Sequence, residues 1–187
     1  MIDGSKALRR AILDVFDHAL IHRCQLHKIR SLEHHLPDSL ASTVATKMRA
    51  AYHDADPLAA EARLNELARQ LDKPHPGAAA SLREGLSETL TVGRLGVPPT
   101  LARTLRSTNA IESMIEICRD HSTNVKRWRD GQMVLRWCAA GMVEASKQFR
   151  RVNGFMHLPA LRAALEAHFV KGDVTDSKYD QEREVAA

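Results

Sequence analysis

Aromatic side chains are scarce, at 4% of 187 residues that are otherwise 44% hydrophobic. That excludes a core of stacked rings and leaves burial to Leu, Ala, Val, Ile and Met, which favour helices on propensity and packing grounds. Long apolar runs are also missing. No window approaches the roughly 18 residues of a membrane-spanning helix, and the opening Met-Ile-Asp-Gly-Ser-Lys has no apolar stretch of signal-peptide type. The expectation is a cytoplasmic protein with no membrane partner. Cysteine is sparse and odd in number, with Cys24, Cys118 and Cys138 far apart. That argues against a disulfide framework and for reduced thiols. No internal repeat is present. The length suffices for one good core, or for one compact domain with appendages.

Positive charge is present in modest excess, and its placement says more than its total. The net is +4 with an isoelectric point near 9.1. Between Arg119 and Arg151, eight Lys and Arg face three acids; between Asp54 and Val92, seven acids face four bases. A concentrated basic stretch of this kind is what a polyanion partner would need.

Along the chain, Met1-Ile2-Asp3-Gly4 reads as the tail of a buried strand. Ser5 to Phe16 reads as a helix with Ala7, Leu8, Ala11, Ile12 and Val15 on one face, and 19–23 as a short strand, a hint of one βαβ unit. A helix after Cys24 stops before Pro37. Asp38 or Ser39 caps the next, which reaches about Tyr52 with Leu40, Val44 and Met48 in a row. Asp56-Pro57 is a start signal, a cap followed by Pro at the first helical position, for a helix carrying Leu58, Leu64, Leu67 and Leu71. Another helix is expected from about Pro76 to Val92, with Leu82, Leu86 and Leu90 on one stripe. This stretch reads as an all-helical module of antiparallel helices. Gly93 to Arg106 reads as a Gly- and Pro-rich linker. Helix resumes at Asn109 and runs to about His121, a basic turn around Trp128 follows, and Asp130-Gly131 opens a helix to about Phe149. A short helix over 158–168 precedes a polar tail that reads as disordered.

Several residues admit two readings. In Ser107-Thr108-Asn109-Ala110-Ile111-Glu112-Ser113, Asn109 has the spacing of an N-cap and Glu112 that of its capping-box partner. Cys24-x-x-His27 could be half a zinc site, but four ligands are needed and His34 and His35 are irregularly spaced for the rest. A buried thiol with a histidine at a helix start accounts for the same residues. Lys126-Arg127-Trp128-Arg129 is either solvated surface or a phosphate contact, and the local charge raises the second. Trp128 and Trp137 fit packing or base stacking. Asp3 and Glu112 are far apart in sequence, and nothing in their separation says that they meet.

Taken in order, Asp3-Gly4, Cys24-x-x-His27-Lys28-x-Arg30, Thr108-Asn109-Ala110-Ile111-Glu112-Ser113 and Asn124-Val125-Lys126-Arg127-Trp128 resemble Mutator-type transposases of bacterial insertion sequences. The resemblance runs over nearly the whole chain. It implies a mainly α chain holding the remnant of a ribonuclease H-like α/β core, with one or two short strands and an all-helical insertion. Residues 1–36 would be part of that core, 37–94 the insertion, 95–170 the rest of the core and 171–187 the tail. Asp3 would be the second catalytic Asp and Glu112 the catalytic Glu, both ligands of Mg²⁺ or Mn²⁺. Hard cations of this kind prefer oxygen ligands, and a pair of them can activate a water or a 3′-hydroxyl and stabilise the leaving oxygen at a phosphodiester. Cys24, His27 and Asn109 match motif positions whose role stays open. Lys126, Arg127, Trp128, Arg129 and Arg136 are the candidate DNA contacts.

No residue matches the family's first catalytic Asp, nor is its amino-terminal DNA-binding segment represented. The chain is therefore expected to be the C-terminal part of a transposase, inactive alone. Its partners would be DNA, at transposon ends and target, and a second copy or an intact transposase. With central strands missing, the apolar faces of 5–16 and 109–121 should be uncovered. The competing readings are a non-catalytic remnant that binds DNA or an intact transposase, and a product without function.

Overall fold

The computed structural model of the protein describes residues 1–16 and 19–169. The chain forms two units, one of Met1–Ser107 with the described residues from Asn153 on, the other of Thr108–Val152. The tail expected after Gly172 lies outside the described residues.

In the first unit, Ile2 makes an isolated parallel bridge with Arg23. The Ile2 N–H donates to the His22 carbonyl at 2.9 Å, and the Cys24 N–H donates to the Ile2 carbonyl at 2.8 Å. This bridge is all the β structure among the described residues, so the strand expected over 19–23 shrinks to one pairing. The partner segment turns away at Gly4, whose φ is +115°. Ser5 then starts helix α1 (Lys6–Val15), its hydroxyl accepting the Leu8 N–H at 3.2 Å. The apolar face of α1 forms as expected, yet it contributes no buried residue, and Leu8, Val15 and Phe16 are exposed.

Helices α2 (Gln25–Glu33), α3 (Asp38–Tyr52), α4 (Pro57–Leu71), α5 (Pro76–Arg83) and α6 (Leu86–Thr89) share one core. Leu32, Met48, Leu64 and Leu82 are fully buried in it. Asp56 caps α4 as its spacing predicts, accepting the Leu58 N–H at 2.9 Å with Pro57 behind it. Asp38 does not cap α3; the cap position is Pro37, and Asp38 lies in the first turn, where its charge favours the helix dipole.

The helix expected over 76–92 is broken. Gly85 takes φ +61°, and a Cβ there would lie 2.5 Å from the Arg23 guanidinium, so the backbone and that side chain occupy adjoining space. The Lys28 ammonium donates to the Ser81 and Glu84 carbonyls at 2.5 Å each, supplying partners that the end of α5 lacks. The chain resumes as α6 and then α7 (Thr91–Arg94). The presumed linker is not featureless either. Pro99 opens α8 (Pro99–Leu105), whose Leu101 is fully buried with Val92, Val97 and Ala102, against Leu161 of a helix over 158–169.

The second unit is a helical hairpin of α9 (Asn109–Ser122) and α10 (Gly131–Ser146). Asp130 caps α10, accepting the Met133 N–H at 2.7 Å, and α10 ends short of the expected Phe149. The two helices approach through Gly141, where a Cβ would stand 2.8 Å from the Cys118 Cα. Only Thr108, Gly141 and Ala145 are buried in this unit. Among the described residues no helix is long and apolar enough to cross a membrane.

Candidate functional site

Asp3 sits on the turn that joins the Ile2 bridge to α1, exposed, with its Oδ1 accepting the Ser5 N–H at 2.9 Å. Beside it Arg23, Cys24, Lys28 and Glu84 help line a small polar cavity of about 110 Å³. Cys24 is buried at the start of α2, and His27 is half-buried on the first turn. Burial is the main cause drawing the Lys28 pKa down to about 8, and the Glu84 carboxylate opposes it. At that value the ammonium form still predominates at neutral pH, and it donates to the two carbonyls.

Glu112 lies in the first turn of α9, half-buried. The expected capping box does not form. Thr108 occupies the cap position without a side-chain bond to the backbone, and Asn109 is the first helical residue, so the register is one residue off. Instead the Thr108 hydroxyl donates to the Glu112 carboxylate, and the Glu112 N–H donates to the Thr108 carbonyl at 3.1 Å. Asn109 is exposed.

Lys126, Arg127, Trp128 and Arg129 occupy the irregular stretch between α9 and α10, and all are exposed, Trp128 at 43%. Arg129 pairs with Asp130 at 3.0 Å on the surface, and Arg136 is exposed on the first turns of α10. Basic groups and a ring are thereby presented together on one short connection, the chemistry a nucleic-acid backbone and base require.

The family profile described as "Transposase, Mutator family" matches residues 1–152. The chain belongs to the Mutator family of transposases. It is 27% identical over 160 residues to the "Transposase for insertion sequence element ISRM5" of Rhizobium meliloti (strain 1021), covering 86% of this chain and 40% of that protein. It is also 27% identical over 124 residues to the "Transposase for insertion sequence element IST2" of Acidithiobacillus ferrooxidans, covering 66% of this chain and 41% of that one. The Mutator chain thus spans about 40% of the length of the curated relatives it matches. No solved structure matches it.

The metal that the Mutator resemblance implies finds no assembled site among the described residues. Among the described residues, no three His, Cys, Asp or Glu side chains come together to hold an ion. Asp3 belongs to one unit and Glu112 to the other, and each carboxylate is already engaged by a local donor. The residues present do not make the metal site by themselves.

What sequence reasoning missed is the ion-pair cluster beside Asp3. Glu88 of α6 accepts Arg9 Nε at one carboxylate oxygen and Arg23 Nε at the other, both at 2.6 Å. Burial alone would raise the Glu88 pKa, but the Arg9 and Arg23 hydrogen bonds outweigh it and hold the group below its ordinary value. One signal was available: Glu88 falls beside the buried stripe of Leu86 and Leu90, where an acid requires a partner.

Proposed function

We propose that the chain is part of a metal-dependent transposase that cuts and joins DNA, and that alone it binds DNA without cleaving it. Asp3 and Glu112 are its contribution to the acids that hold Mg²⁺ or Mn²⁺, and a further acid comes from outside these residues. No cleavage step is assigned to this chain, because its own residues do not complete the donor set.

The observation that carries the DNA reading is the exposed basic turn of the hairpin, in a family whose curated relatives bear the name transposase. Lys126, Arg127, Arg129 and Arg136 contact phosphates and Trp128 stacks on a base, with transposon ends and target as the DNA. The uncovered faces of α1 and α9 supply the surface for a second copy or an intact transposase, in the cytoplasm. Fluorescence anisotropy with labelled duplex across a salt series tests the contact. Reversing Lys126, Arg127 and Arg129 to Glu should abolish binding and reduce the salt slope by about 3. Undiminished affinity at low salt would sink the assignment.

A second reading, a non-catalytic remnant that binds DNA or inhibits an intact transposase, is favoured by the incomplete donor set. A single-turnover nicking assay with Mg²⁺ or Mn²⁺ separates the two. Cleavage that appears only when the remainder of a relative is added, and that Glu112→Gln abolishes, would end the remnant reading; no cleavage even then would support it.

A further inference from the structure

We infer that Glu88 is a positioning residue for Asp3, clamping both arms of the turn that carries it. The inference rests on the reading of Asp3 as an active-site acid.

One arm is the Ile2 bridge, held to the 22–24 segment by two backbone hydrogen bonds. Two hydrogen bonds are little pairing, and an arm held by them alone opens readily unless something else fixes it. The other arm is α1. Glu88 reaches α1 itself and the segment on which the Ile2 arm is pinned. Its Oε1 accepts Arg9 Nε of α1 and its Oε2 accepts Arg23 Nε of the bridge, each at 2.6 Å. Its backbone carbonyl accepts the Arg23 N–H at 3.1 Å and lies 3.1 Å from His22 Nδ1. One residue of the helical module therefore holds the helix after Asp3 directly, and the strand before it through the 22–24 segment with which Ile2 pairs.

The clamp is mostly out of water, with side-chain exposures of 17% for Glu88 and 8% for Arg23. Charge-assisted bonds are strongest under such conditions, and removing one partner strands the other. Arg23 is spent inward, against Glu88 and, at 4.0 Å, Glu84. Lys28 is likewise committed to two carbonyls. These cations thus serve the turn's geometry, and neither is left to bind an anion in the cavity beside Asp3.

Amide hydrogen exchange on the full chain tests the clamp, with Glu88→Gln and Arg9→Gln as variants. Glu66→Gln is the control, since Glu66 pairs only along its own exposed helix face. In Glu88→Gln the Ile2, Arg23 and Cys24 amides should exchange roughly tenfold faster or more while Met48 and Leu64 amides keep their rates. Arg9 is half-exposed, so Arg9→Gln will fold even where Glu88→Gln does not, and it should speed only the amides from Ser5 to Arg9. Rates at the turn within roughly twofold of wild type in both variants overturn the proposal. So does equal acceleration throughout the module in Arg9→Gln. Added Mn²⁺ supplies the independent readout. It should broaden the Gly4 and Ser5 amide signals, an effect that Asp3→Asn abolishes and Glu88→Gln weakens severalfold. Absence of broadening in the wild type, with the exchange pattern as expected, removes the metal role of Asp3 and leaves the clamp standing.

Discussion

Helices α4 and α10 are nearly equal in length, 15 and 16 residues, and α10 is the more apolar. Yet α4 buries Leu64, Leu67, Ala68 and Leu71, whereas α10 buries only Gly141 and Ala145. Helix α4 belongs to a module whose helices close on one another around a shared core. Helix α10 has α9 as its one partner within its unit, and a pair of helices covers one stripe of each. Apolar content therefore does not decide burial here; the number of neighbouring elements does. The basic turn sits on the less buried unit, where the DNA contact proposed above needs an open surface.

Leu64→Ala is the severest test of this contrast. A fully buried Leu in the module should cost about 3–4 kcal/mol, read as a lowered urea midpoint by circular dichroism. The two tryptophans, Trp128 and Trp137, both lie in the hairpin. Their emission should keep its own transition, and a fluorescence curve that shifts together with the dichroism would break the distinction between the units.

His22 sharpens the same contrast through pH. Burial draws its pKa from 6.5 to about 4. Between those values the unfolded chain binds a proton that the native chain refuses, so stability falls as pH drops through that window. The loss is about 3 kcal/mol at most. Denaturant midpoints of the module at pH 7 and pH 4.5 should differ accordingly, and His22→Gln should flatten the dependence.

In the hairpin, Gly141→Val should open the α9–α10 pair, because its Cβ would stand 2.8 Å from backbone at Cys118. A cost of about 1–3 kcal/mol is expected, visible as a red shift of Trp137 emission with the module's melting unchanged. A module that melts earlier would contradict the assignment of this contact to the hairpin alone. The smallest effect belongs to Asp56→Ala, which removes the cap of α4 at about 1 kcal/mol. That loss should appear in the dichroism transition and leave tryptophan emission untouched.

Local signals in the sequence were read well where the cause is local. Asp56-Pro57 and Asp130-Gly131 start helices as their spacing predicts, since a cap needs only residues two or three positions away. The Thr108–Glu112 segment was read one residue out of register, because Thr108 and Asn109 are both acceptable caps and neighbouring packing selects between them. The candidate site was legible only as motif residues: Asp3, Cys24, His27, Glu112 and the basic turn. Its supporting cluster was not, because Glu88 and Arg23 are distant in sequence and no periodicity links them.

The sequence by itself determined the helical class, the capped starts of α4 and α10 and the placing of positive charge around residues 126–136, because propensity, capping and charge act within a turn or two of chain. Tertiary structure alone decided that the helix after Pro76 breaks at Gly85, that α8 forms within the Gly- and Pro-rich stretch, and that the Ile2 strand is a single bridge. Each depends on a side chain or a core distant in sequence: Lys28 at the carbonyls of α5, Val92 and Leu161 around Leu101, and Glu88 behind Arg23. Long-range packing selects among conformations that local preference leaves nearly equal, which is why those three features could not be read from the chain alone.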